Sequence, residues 1–203
     1  MLRLYDSRLS GNSWKVRLLL SYLGTPFQRV TLDLERGDTR EPSFVQKSRF
    51  SRIPVLELDD GTTIVESAAI LLYLAEGSPL LPDDRLQRAD VHSWMFFEQA
   101  DLQKPLALSR MYRIRGQAEA KVDDMARMLT EGTRALEKLD RCLDGHHWLV
   151  GENYSLADLA VFPYVSLAHE GGFDMRPFPN IARWLASVRN QPGWIDLLQD
   201  VQT

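Results

Sequence analysis

The chain has 203 residues, of which 44% are hydrophobic and 26% charged, and its formal net charge is −4. This composition is typical of an ordinary globular protein and argues against a disordered chain. The slight acidity gives no basis for a nucleic-acid partner, and no apolar run approaches the roughly 20 residues of a membrane-spanning helix.

The first part of the chain alternates strand and helix patterns. Apolar residues recur at helical spacing after a short opening strand, and Gly24 followed by Pro26 ends that helix. Asp60-Gly61 is a tight-hairpin signal that forces one antiparallel pair, whereas strand–helix alternation favours parallel pairing. We therefore predict a small mixed sheet with helices on it. The order is β-α-β-α-β-β-α, with elements at 2–5, 12–23, 27–32, a short helix from 41, 54–58, 62–65 and 67–75.

Residues 78–84 hold two prolines and no periodicity, so we place a domain linker there. Beyond it the patterns predict only helices. They cover 85 to about 112, 118–143, 154–168 and 181–190, with a final turn over 194–201. The predicted domains are therefore residues 1–77 and an all-helical domain of residues 85–203.

Four short segments resemble those of the cytosolic glutathione transferases in order and spacing. The resemblance covers essentially the whole chain and is nearest to the bacterial serine- or threonine-type enzymes with zeta, theta and nu patterns. It implies an α/β thioredoxin-like N-terminal domain, an all-α C-terminal domain and a homodimer. The segments are Ser10-Gly11-Asn12-Ser13-Trp14-Lys15-Val16-Arg17, Ile53-Pro54-Val55-Leu56, Glu66-Ser67-Ala68-Ala69-Ile70 and Ser155-Leu156-Ala157-Asp158.

The glutathione thiol has a pKa of about 8.5 and needs donors that stabilise its thiolate. By resemblance, Ser10 occupies the catalytic position and Asn12 supports the thiol, where the positive end of a helix adds to the effect. Without the resemblance, Asn12 or Ser13 is a helix cap. Ser13 and Tyr5 are rival thiol partners, because other classes place a catalytic tyrosine near the end of the first strand.

The resemblance also assigns binding residues. It implies a cis Ile53-Pro54 bond that exposes the backbone of Ile53 to the cysteinyl backbone of glutathione. Ser67 would hold the γ-glutamyl carboxylate at a helix N-terminus, and Glu66 would reach the ammonium. A trans proline opening a strand and a plain cap at Ser67 are the alternatives.

Arg52 is the candidate partner of the glycyl carboxylate of glutathione, and Arg40 is a weaker one. The family usually carries Asn-Pro-x-Gly before the cis-proline, whereas this chain has Ser48-Arg49-Phe50-Ser51. The shape of that loop therefore departs from the family pattern.

Features of the helical domain read mainly as structural. Ser155 and Asp158 form a capping box, in which each side chain satisfies a backbone donor of the other. The aromatic run Trp94–Phe97 is expected in a core or an interface. Arg110, Arg113 and Arg115 could line a substrate cleft, although solvated surface is the explanation that the sequence favours.

The sequence thus predicts a glutathione transferase, with a role in detoxification, that directs the thiolate onto an electrophilic, peroxide or disulfide acceptor. The alternatives are a non-catalytic binding module of the same fold and an isomerase of maleyl-type acids. The single cysteine, Cys142, fits a reducing compartment, and residues 1–5 read as a strand rather than a signal peptide. We expect a cytoplasmic protein without a metal, since no histidine has ligand spacing.

Overall fold

The computed structural model describes residues 1–199. The chain forms two compact units, one of residues 1–77 together with 191–199 and one of residues 78–190. Residues 191–199 group with the first unit rather than with the helical domain expected from the sequence.

Four short strands form a mixed sheet in the first unit. They are β1 (Leu2–Asp6), β2 (Phe27–Thr31), β3 (Val55–Glu57) and β4 (Thr63–Val65). The strand order is β2-β1-β3-β4, with β1 parallel to β2 and antiparallel to β3, and β3 antiparallel to β4. The mixed sheet predicted from the sequence is therefore confirmed.

Helices cover both faces of this sheet. Leu4 and Leu56 point to the face on which α1 (Gly11–Tyr22) and α3 (Ser67–Ala75) contribute Val16, Leu20 and Ile70. Side chains alternate between faces along a strand, so their neighbours Tyr5 and Val55 point the other way. There they pack with Phe44 of α2 (Pro42–Val45). The thioredoxin-like arrangement follows.

Residues 191–199, the C-terminal segment, lie against α1. The indole Nε1 of Trp14 donates to the carbonyl of Ile195 at 2.9 Å, and the guanidinium of Arg17 donates to the carbonyl of Leu197 at 2.8 Å. Arg17 is fully buried and is paired with the equally buried Asp6 at 3.1 Å. Side chains of α1 thus hold the backbone of the C-terminal segment, which explains why α1 is buried on nearly every side.

We expect Trp14→Phe to lower the free energy of unfolding by about 1 kcal/mol. The phenyl ring keeps the apolar packing near Trp194, whose ring centroid lies 5.6 Å away, but loses the donor to Ile195. Chemical denaturation measures the change. Tyr73→Phe, at a side chain that is 52% exposed, serves as the control and should change stability by less than about 0.5 kcal/mol.

The second unit contains five α-helices within the described range, besides short 3-10 helices at Glu119–Lys121 and Ala168–Gly171. The α-helices are α4 (Arg85–Phe97), α5 (Gln103–Ile114), α6 (Val122–Cys142), α7 (Leu156–Ser166) and α8 (Pro179–Arg189). Among residues 1–199, no helix is long and apolar enough to cross a membrane.

The helical span expected from residue 85 to about 112 is found, but a π-helical turn at Glu98–Leu102 divides it into α4 and α5. Pro105 lacks the N–H that would bond to the carbonyl of Asp101, and its ring clashes with that carbonyl. A wider turn relieves this conflict. The final turn expected over 194–201 is only a non-helical turn in its described part, closed by Gln199 N to Asp196 O at 3.1 Å, and residues 200 and 201 lie outside the described range.

All residues of α7 are buried, and Asp158 anchors its first turn. Its carboxylate accepts from Ser155 N and Ser155 Oγ at 3.0 Å, from Leu149 N at 3.0 Å and from Trp184 Nε1 at 2.8 Å. The capping box predicted from the sequence is confirmed. Asp158 additionally joins α7 to α8 and to the loop before α7.

Candidate functional site

Three loops meet at one edge of the sheet. Because β1 and β3 are antiparallel, as are β3 and β4, the end of β1, the start of β3 and the end of β4 share that edge. The loops carry the residues that follow β1 (7–10), precede β3 (Ile53-Pro54) and follow β4 (Glu66-Ser67). The topology therefore gathers three of the four segments that carry the resemblance.

Ser10 is the N-cap of α1. Its Oγ accepts a hydrogen bond from Ser13 N at 3.1 Å, so the expectation that Asn12 or Ser13 caps this helix is wrong. Because the Ser10 oxygen serves as an acceptor in this bond, the hydroxyl proton remains available to a ligand. Ser10 is half-buried, as a residue at the edge of a ligand site would be.

Asn12 and Ser67 lie together, although they are 55 positions apart. The Oγ of Ser67 is 3.4 Å from Asn12 Oδ1. Asn12 Oδ1 also accepts a hydrogen bond from Lys15 Nζ at 2.9 Å. The N-termini of α1 and α3 are thereby adjacent. Both helix ends carry partial positive charge, so the space beside them favours an anion.

Neither of the two rivals to Ser10 presents a free hydroxyl to the site. Ser13 is fully buried, with its hydroxyl unpartnered among residues 1–199, so a ligand cannot reach it directly. The Tyr5 hydroxyl donates to Glu57 Oε2 at 2.8 Å. Burial and this carboxylate raise the pKa of Tyr5, whereas a tyrosine that stabilises a thiolate gives its hydrogen bond to the sulfur.

The N-terminus of α3 has no side-chain cap from the protein. Glu66, the residue before it, is exposed and has φ 73° and ψ 123°, which is rare for a residue other than glycine. Such backbone conformations cluster at ligand sites, where they position a neighbouring group. The unpaired N–H groups of the first turn, together with the Ser67 hydroxyl, can receive a carboxylate.

The Ile53-Pro54 bond is cis. The β1–β3 and β3–β4 ladders begin at Val55, which leaves the backbone N–H and C=O of Ile53 outside them. These groups lie at the sheet edge, where an extended ligand segment can pair with them.

The loop that departs from the family pattern is closed by the side chain of Ser48, which bonds to the backbone of Arg52. Ser48 is fully buried; its Oγ donates to the carbonyl of Arg52 at 2.8 Å and accepts from Arg52 N at 3.1 Å. Ser51, at the position where the family usually has glycine, has φ 51°. Ser51 thus adopts a left-handed conformation that favours glycine.

We expect Ser51→Gly to raise the free energy of unfolding by about 1 kcal/mol, because glycine adopts φ 51° without the steric cost of a Cβ. Thermal or chemical unfolding measures the gain. Ser51→Ala keeps the Cβ and removes only the hydroxyl, so it should give no gain; an equal gain in both variants would contradict the backbone explanation.

The structure does not join the two candidate arginines to the rest of the site. Arg52 is exposed, and among residues 1–199 no hydrogen bond links its guanidinium to Ser10, Asn12 or Ser67. The Arg40 guanidinium lies close over Gly37, where a Cβ would be 2.5 Å from its terminal nitrogen. Arg40 therefore packs on its own loop.

In the helical unit, the side chains of residues 94–97 differ in their exposure and in what they contact. Met95 is in the core and Phe96 is 73% exposed, whereas Trp94 and Phe97 line a groove between α4 and α6 with Cys142, whose thiol is exposed. Arg110 is buried and bonds to Glu170 at 2.7 Å, so solvated surface does not describe it. Within residues 1–199, no cluster of three acidic, histidine or cysteine side chains could hold a metal.

Comparison with known proteins points to one family. Residues 1–76 match the family model of the glutathione S-transferase N-terminal domain, and residues 105–192 match that of the C-terminal domain. A solved glutathione S-transferase from Pseudomonas fluorescens is 37% identical, with a TM-score of 0.96 over 98% of this chain and 99% of that chain.

Two further relatives carry more specific names. The disulfide-bond oxidoreductase YfcG of Escherichia coli is 29% identical over 90% of this chain and 87% of its own length. A structure of Ure2p, the yeast prion protein, in complex with glutathione is 26% identical, with a TM-score of 0.87 over 95% of each chain.

Proposed function

This chain belongs to the glutathione S-transferase family, and we propose that it binds glutathione and stabilises the thiolate at the N-terminus of α1. The arrangement of Ser10, Asn12 and Ser67 supports this proposal most, because it combines two helix N-termini with hydroxyl and amide groups. Ure2p, a relative that binds glutathione, supports the choice of ligand.

The γ-glutamyl end of glutathione is assigned to α3. Its carboxylate would accept from the Ser67 hydroxyl and from the N–H groups of the first turn, which have no protein cap. The exposed Glu66 carboxylate would pair with the ammonium of the same residue. Charge-assisted hydrogen bonds to both the carboxylate and the ammonium of the γ-glutamyl residue fix the direction in which glutathione lies.

The positions of the cysteinyl and glycyl parts of glutathione follow from that direction. The cysteinyl backbone would pair with the N–H and C=O of Ile53, in the manner of an added strand. The glycyl carboxylate would meet Arg52, whose side chain is exposed and whose backbone is fixed by Ser48. Arg40 is a weaker candidate because its guanidinium is packed over Gly37.

With glutathione in this position, its sulfur would lie next to Ser10 and Asn12. The Ser10 hydroxyl would donate to the sulfur while its oxygen continues to accept from Ser13 N. The thiol proton leaves to solvent, and the α1 N-terminus and both donors stabilise the resulting thiolate. This assignment makes the chain a serine-type member of the family, and Cys142 has no part in the reaction.

The thiolate can react with several acceptors. It can displace a halide or open an epoxide to form a thioether, or it can attack a disulfide and release the other thiol. With a peroxide it forms a sulfenate and an alcohol, and a second glutathione then gives glutathione disulfide and water. The name of the relative YfcG favours disulfide chemistry as the first to test.

The alternative functions differ in what they require. A non-catalytic module needs the fold but not the Ser10 and Asn12 donors, so their arrangement favours an enzyme. A maleyl-acid isomerase is disfavoured because the Ser-Ser-Cys segment of zeta-type enzymes is Ser10-Gly11-Asn12 here.

We propose a cytoplasmic homodimer, and sedimentation of a monomer alone at micromolar concentration would argue against the dimer.

Turnover with three acceptor classes tests the enzymatic proposal. The acceptors are an aryl halide, an organic hydroperoxide and a glutathione mixed disulfide, each measured with and without glutathione. We expect glutathione-dependent turnover of at least one class above the uncatalysed rate. Retention on glutathione-agarose without turnover of any class would favour the non-catalytic module.

A further inference from the structure

Lys15 is a buried cation next to the thiol site. It belongs to the first turns of α1, three residues after Asn12, and is only 1% exposed. Lysine is almost never fully buried unless its ammonium is paired. A cation near a helix N-terminus is also opposed by the helix dipole. Its position therefore lowers the stability of the isolated helix and calls for another explanation.

The contacts of Lys15 determine how Asn12 is oriented. The ammonium nitrogen lies 2.9 Å from the Asn12 side-chain amide. Since an ammonium only donates, the amide atom facing it must be the oxygen, Oδ1. The Ser67 hydroxyl, 3.4 Å from this oxygen, is a longer second donor in the protein without glutathione, and its single proton would pass to the γ-glutamyl carboxylate when glutathione binds. Lys15 thus prevents the amide from flipping, which the Ser67 hydroxyl alone could not do because it can also accept.

The amide nitrogen of Asn12 is the part of this side chain that remains for a ligand. No protein acceptor for Asn12 Nδ2 is found in the described part of the chain, whereas its oxygen has two donors. Asn12 is half-buried, so its N–H groups can be reached from the site.

We propose that Lys15 is a positioning residue, which holds the Asn12 amide with its N–H groups toward the sulfur of glutathione. This inference rests on the proposed function. Lys15 does not touch glutathione and acts through Asn12. Its positive charge, next to the N-termini of α1 and α3, adds to the field that favours the thiolate.

The test compares Lys15→Met in the wild-type background and in an Asn12→Ala background. The readout is the ultraviolet absorbance of protein-bound glutathione thiolate against pH. We expect Lys15→Met to raise the pKa of the bound thiol by about one unit and to lower kcat about tenfold at neutral pH. In the Asn12→Ala background it should add less than half of that shift, because the amide through which Lys15 acts is absent.

Controls separate positioning from folding. Lys47→Met removes another lysine of the same unit, which is paired with Glu57, and should leave the bound-thiol pKa unchanged. If Lys15→Met does not fold, Lys15→Gln carries the same test, because its amide ends one bond short of the lysine nitrogen. A bound-thiol pKa unchanged in the folded variant, or equal shifts in both backgrounds, would overturn the inference. Wild-type protein that binds no glutathione would instead overturn the proposed function.

Discussion

Asp158→Ala should lower the free energy of unfolding by about 3–5 kcal/mol, because the substitution leaves two buried donors and one half-buried donor without an acceptor. These donors are Leu149 N, Ser155 N and Trp184 Nε1. Each unsatisfied buried donor costs about 1–3 kcal/mol. The loss therefore exceeds the ~1 kcal/mol typical of a helix cap.

Chemical denaturation of Asp158→Ala measures this loss. Asp144→Ala removes an exposed carboxylate of the same unit and should change stability by less than about 0.5 kcal/mol. Turnover per folded molecule should stay near the wild-type value, because Asp158 is assigned to α7 and its neighbours. A loss below about 1 kcal/mol, or lost turnover at full stability, would contradict the assignment.

Ser10→Ala should lower kcat/KM for the glutathione-dependent reaction about a hundredfold. The substitution removes the hydroxyl assigned to the thiolate, and deleting one such donor from a preorganised site costs about 10²–10³ in rate. It also removes the α1 cap, which is worth about 1 kcal/mol of stability. The two effects need to be measured separately.

Ser10→Asp separates them. Aspartate caps a helix as well as serine does, but its carboxylate has no proton to give to the sulfur and repels the thiolate. It should therefore keep the stability of the wild type and lose at least as much activity as Ser10→Ala. Ser10→Thr keeps both roles and should retain most activity, and Ser7→Ala is the control in the same loop. Full activity in Ser10→Asp would transfer the catalytic role to Asn12.

The parts of this fold that local sequence encodes could be predicted. Gly24, Asp60-Gly61 and the Ser155/Asp158 pair each act over a few residues, so helix ends, hairpin and cap were correct in kind. Pro105 acts just as locally, and its missing N–H could have indicated the break between α4 and α5.

Contacts between distant positions could not be predicted in the same way. Trp14 and Arg17 donate to backbone carbonyl groups about 180 positions later. Every residue carries such a carbonyl, so the sequence does not indicate which one accepts the bond. The position of Asn12 beside Ser67 likewise becomes visible only once α3 packs on α1. In the sequence, Lys15 is an ordinary helix lysine; its burial becomes visible only in the fold.

The ultraviolet absorbance of glutathione bound to the wild-type protein, followed as pH is varied, shows whether the protein stabilises the glutathione thiolate. We predict saturable binding at millimolar glutathione or below. We also predict thiolate absorbance at neutral pH, with the thiol pKa below its free value of about 8.5. No binding at millimolar glutathione, or a bound thiol that titrates at its free value, would contradict the claim.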